Sequence, residues 1–71
     1  MTPDQVRETI RKYQVGNVIG IPPDEGAELI AAYIKERTSV DVVVNPVSCQ
    51  FNMQLYHIAI GAVIDYYMKD A

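Results

Sequence analysis

Apolar residues fall at helical spacing in three stretches of the chain and at strand spacing in one. Val6, Ile10 and Tyr13 recur at i, i+4 and i+7 behind Thr2-Pro3-Asp4-Gln5. Thr2 can cap, Pro3 suits the first helical position, and Gln5 completes a capping box. The stripe is narrow, so this helix is expected on the surface. Glu8, four before Lys12, is in the favourable order for a surface pair. Gly16 is the expected stop.

A second helix is expected over residues 23–37. Pro23 starts it, Asp24 and Glu25 suit its positive end, and Lys35 and Arg37 suit its negative end. Gly26, Leu29, Ile30, Tyr33, Ile34 and the stem of Arg37 form its stripe. Residues 18–21 (VIGI) are β-branched but broken by glycine. Residues 40–44 (VDVVV) are the clearest strand, ended by Asn45-Pro46. A lone strand needs a partner. Residues 18–21 would supply one in parallel, with the second helix as crossover; the alternative is the same segment of another chain. Residues 46–50 read as a connector, after which Ser48 or Asn52 would cap the last helix.

Residues 51–68 predict that last helix, and its pattern differs from the others. No Asp, Glu, Lys or Arg occurs in residues 42–64. At 100° per residue, Gln54, Gly61, Asp65 and Lys69 gather in one narrow sector with Ile58 among them. The remaining arc is apolar over about 240°, where a surface helix needs little more than 100°. One side of the arc is bulky, with Met53, Tyr56, Ile60, Ile64 and Tyr67. The other is small, with Ala59 and Ala62 flanked by Leu55 and Tyr66, and small residues let another backbone come close. Tyr56, Ile60 and Ile64 are therefore assigned to the chain's own core. Leu55, Ala59, Ala62 and Tyr66, with Tyr33, are assigned to an interface with another chain.

Length sharpens this. Seventy-one residues make one small domain, 1–71, near the lower limit for a self-sufficient core. One cysteine, Cys49, excludes an internal disulfide, so oligomerisation is the remaining staple. The expected fold is a small α+β domain of three helices and one or two short strands, in the order α-(β)-α-β-α, completed by association. The alternative is an all-α bundle with residues 40–44 irregular.

Candidate chemistry changes little. His57 has Met53, Gln54, Ile60 and Gly61 at i±3 and i±4, so no metal set forms around it. Cys49 has no surrounding signature of a nucleophile. Asp24, Glu25 and Glu28 sit where acids favour a helix start, and they repel phosphate from the glycine-spaced residues 16–20. Neither a catalytic constellation nor a cofactor or metal site is expected. A net charge of −3 and scattered basic residues argue against nucleic acid and anionic membranes. The polar start and single cysteine give a cytoplasmic expectation. Five tyrosines against one phenylalanine and no tryptophan suit interfaces.

The expected function is that of a non-enzymatic binding protein, acting as a homo-oligomer or docked on a larger protein as an inhibitor or adaptor. The alternative is a nucleotide-like ligand held between subunits by Arg7, Arg11, Tyr13 and Lys35, which would join a stacking ring to cations.

Overall fold

A computed structural model of the chain describes residues 1–16 and 18–69. Asn17, in the glycine-spaced stretch, lies outside the described residues. They form a small, mostly helical domain: α1 (Pro3–Lys12), a hairpin of β1 (Gln14–Val15) and β2 (Val18–Ile19), α2 (Pro23–Thr38), α3 (Pro46–Phe51) and α4 (Met53–Met68).

α1 starts as the sequence dictates. The Gln5 N–H donates to Thr2 Oγ1 at 3.2 Å and the Thr2 N–H donates to Gln5 Oε1 at 2.8 Å, the two halves of a capping box. Val6 and Ile10 are fully buried. Lys12 turns to Glu25 at 3.7 Å, an ion pair on α2 rather than the expected partner Glu8. α1 ends at Lys12, before Gly16, whose φ of +60° serves the following hairpin turn.

Three expectations are corrected. Residues 40–44 form no strand, and residues 18–19, part of their expected parallel partner, pair locally instead. β2 pairs antiparallel with β1 just before it, with Gln14 opposite Ile19 and Val15 opposite Val18. A short local hairpin closes at less entropic cost than a crossover pairing. Residues 46–50 are not a mere connector but most of α3. Asn45 accepts the Val47 N–H at 2.9 Å and Pro46 occupies the first helical position, so the pair read as a strand terminator is a helix start. The described residues therefore hold four helices rather than three, and the last begins at Met53 rather than residue 51. Asn52 is its cap, accepting the Leu55 N–H at 3.4 Å with φ −132° and ψ 69°, outside the helical region.

The core lies where α1, α2 and α4 meet, around Val6, Ile10, Leu29, Ala27, Tyr56, Ile60, Val63 and Tyr67. Tyr67 ties all three. Its carbonyl accepts Arg7 Nε at 3.0 Å from α1, and its hydroxyl donates to the Ala32 carbonyl on α2 at 3.5 Å. The body measures 28 × 26 × 16 Å. Its radius of gyration is 11.4 Å, as expected of a compact domain of this length.

Candidate functional site

The four candidate ligand residues are not gathered. Arg7 is spent on the Tyr67 carbonyl and on Asp4 at 2.9 Å. Arg11 lies on the outer side of α1 beside Glu8 and Lys12. Lys35 pairs with Asp41 at 3.1 Å. The Tyr13 hydroxyl donates to Glu25, and that bond, with burial and the carboxylate's charge, raises its pKa. Each has a partner on its own chain or stands apart. No group of three or more His, Cys, Asp or Glu side chains among the described residues could hold a metal.

A second cluster is structural. Tyr56 is buried, and its hydroxyl donates to the Ile21 carbonyl at 2.7 Å. Burial, and then the charge Cys49 carries once ionised, push its pKa up to about 12 from an ordinary 10. Between those pH values the unfolded chain gives up this proton while the native chain keeps it. The native state is thus held fully below pH 10 and loses that support as pH rises to 12. Chemical denaturation at stepped pH should show wild-type stability falling across this window. Tyr56→Phe should start about 1 kcal/mol lower at neutral pH, since the Ile21 carbonyl loses its donor, but then fall less steeply. Parallel curves would remove Tyr56 from the account.

The interface candidates lie at the surface of α4 and α2. Tyr33 and Tyr66 meet edge to face at 5.4 Å, and Tyr66 contacts Tyr67 at 5.0 Å. The Arg37 guanidinium lies 5.7 Å and 5.6 Å from the Tyr33 and Tyr66 ring centres and donates to the Tyr33 hydroxyl at 3.0 Å. The two tyrosines thus form one braced aromatic wall rather than separate anchors, and cation–π contacts stiffen it. Ala59 and Ala62 are half-buried, and Ala62 shares a groove with Tyr33, Arg37, Asp65 and Lys69. Leu55 is 60% exposed.

Sequence reasoning missed two residues beside this face. Ile58, grouped with the polar sector, is 65% exposed, and Phe51, just before the Asn52 cap, is 87% exposed. The signal for Ile58 was present: positions 55, 58 and 62 are apolar at spacings of three and four, the seam of a helix that packs on another helix, whereas Phe51 belongs to α3, across the break at Asn52. Treating Ile58 by its angular neighbours hid that rhythm. On the opposite side, Tyr56, Ile60, Val63 and Tyr67 are buried, and Ile64 is half-buried against them. α4 therefore has one apolar face inside and one outside. No described helix is long and apolar enough to cross a membrane.

No family model matches the chain. No curated protein and no solved structure matches it either.

Proposed function

We propose that this chain is a non-enzymatic protein-interaction module whose outer α4 face binds a second copy of itself. One observation carries the reading: Leu55 and Ile58 stand in solvent on a helix with no charge between Met53 and Ile64, with Ala59 and Ala62 beside them.

A second copy fits that face by one two-fold operation. Antiparallel docking about a point between Ile58 and Ala59 sets Leu55 against the partner's Ala62 and Ile58 against the partner's Ala59. Leu55 and Ile58 each then meet an alanine, which suits close helix packing. The same operation brings Asp65 to the partner's Asn52, at the positive end of a helix whose first turn holds no acid. The isologous contact is self-complementary in shape and in charge. Tyr33, Tyr66 and Arg37 supply the residue types enriched where binding energy concentrates. The helical domain is then the subunit of a larger assembly.

Sedimentation velocity over a concentration series tests this. Wild type should sediment as a dimer or larger. Ile58→Glu should weaken association by about 3 kcal/mol, on the order of a hundredfold in dissociation constant, by burying an unpaired charge. Because Ile58 is exposed, its helical circular dichroism should be unchanged. Ala59→Glu and Ala62→Glu should act in the same direction, with some loss of fold stability because both sites are half-buried. A wild-type monomer at every concentration, or an Ile58→Glu chain that assembles normally, overturns the reading.

A further inference from the structure

Residues 40–44 have the composition of a sheet strand and the surroundings of a surface connection. They run between α2 and α3 without a turn or a bend. Their side chains alternate. Val44 is half-buried against the core, and Val42 lines a groove with Ala31, Ala32 and Lys35 of α2. Between them Val43 is 97% exposed, and the Asp41 side chain, 88% exposed, stands at the rim of the same groove, held by Lys35 at 3.1 Å. This is the period-two pattern of a strand laid with one face on a helix. Among the described residues, no hydrogen bond engages the backbone N–H or C=O groups of residues 41–44. A valine run with open donors and acceptors is an edge that pairs.

We infer that residues 40–44 pair with the same residues of a second copy, as antiparallel strands in register about Val42. This contact is separate from the α4 face, and shares with it only the premise that the chain's partner is its own copy. Register and charge select the arrangement. Centred on Val42, it sets Val42 against the partner's Val42, Val40 against the partner's Val44, and Asp41 against the partner's Val43. No acid opposes an acid, and each Asp41 keeps its own Lys35. Centring on Asp41 puts two carboxylates face to face, as does parallel in-register pairing. A slip by one residue turns the inward valines outward. Centring on Val43 draws Pro46 into the ladder, and proline lacks the donor. A foreign extended peptide would satisfy the same backbone groups, but only the second copy brings a charge pattern that selects one register.

Oxidative cross-linking of the full chain tests this. Opposed residues in an antiparallel pair have Cα atoms about 4.5–5.5 Å apart, within the range a disulfide spans. Val42→Cys should form a disulfide-linked dimer at least tenfold faster than Val43→Cys. Cysteine at 43 is the more exposed thiol, but its opposite residue is Asp41. A mixture of Asp41→Cys and Val43→Cys chains should cross-link as heterodimers. Wild type, whose Cys49 is buried, should not cross-link. Val42→Cys in an Ile58→Glu background should still do so, which separates this contact from the α4 face. Loss of cross-linking only in that background means the strand pairing depends on α4 and is not a second contact. Equal rates for Val42→Cys and Val43→Cys, or cross-linking of neither, overturn the inference while leaving the sedimentation result to judge α4 alone. Binding of an unrelated valine-rich peptide by a Val42→Cys chain that forms no disulfide-linked dimer on its own would assign the edge to a foreign strand, against the proposal.

Discussion

Gly26→Ala is expected to lower stability by about 3 kcal/mol, at or beyond the upper end for overpacking a core. A Cβ at this position would stand 1.8 Å from the Tyr56 hydroxyl oxygen and 2.6 Å from the ring carbon that bears it. A long side chain ordinarily swings away, but this one is fixed at both ends. Its ring is buried between α2 and α4, and its hydroxyl is tied to the Ile21 carbonyl at 2.7 Å. Either the helices separate or Tyr56 gives up its bond and its pocket. For a chain of this length, total stability is roughly 4–10 kcal/mol, so the variant keeps little margin. Thermal unfolding followed by circular dichroism should show a midpoint at least about 12 °C below wild type. The double variant Gly26→Ala/Tyr56→Phe should recover part of the loss, because the nearest atom is gone while the ring carbons remain. That non-additivity is the signature of direct contact. A Gly26→Ala midpoint within about 3 °C of wild type would mean the helices have room to spare.

Gly26 also shows how much of this molecule its sequence discloses. Its place on the α2 stripe was legible from helical spacing, as were Val6 and Ile10 on α1 and the Thr2–Gln5 capping box, because periodicity and caps are local. The inner face of α4 was legible too, from Tyr56 and Ile60. What the glycine is for was not legible, since the phenol that needs the space comes thirty residues later. The misplaced strand has the same origin. Valine content stated what residues 40–44 prefer, but pairing depends on where the folded chain puts them, and residues 18–19 fold back on residues 14–15 instead. Asn52 was legible as a cap of the last helix beside the alternative Ser48, but that the residues before it form a helix of their own was not. Of the functional reading, Leu55 was found exposed as the wheel implied. Ile58 was lost to its polar neighbours, and Arg7, Tyr13 and Lys35 were claimed by Tyr67, Glu25 and Asp41, pairings that single-sequence spacing does not reveal.

Leu29→Ala is the second large effect expected. Leu29 is fully buried in the middle of α2, among the side chains that α1 and α4 bring to the core. Removing its three outer carbons forfeits their transfer from water and leaves a void in a core with few residues to relax into it, a loss of about 3 kcal/mol. Alanine is the better helix former, so the loss is attributable to packing and not to α2 propensity. Ile30→Ala, one position round the helix and half-buried, should lose clearly less. The comparison of the two fixes which side of α2 is inward. The same variant also reports on assembly. If subunits associate through native surfaces, association stabilises the folded state by mass action, and a marginal variant makes that contribution visible. The Leu29→Ala midpoint should therefore rise with protein concentration, and adding Ile58→Glu should reduce the rise while leaving the dilute midpoint where it was. A Leu29→Ala midpoint that is independent of concentration would place the stability of this domain wholly within one chain, and with it the outer face of α4.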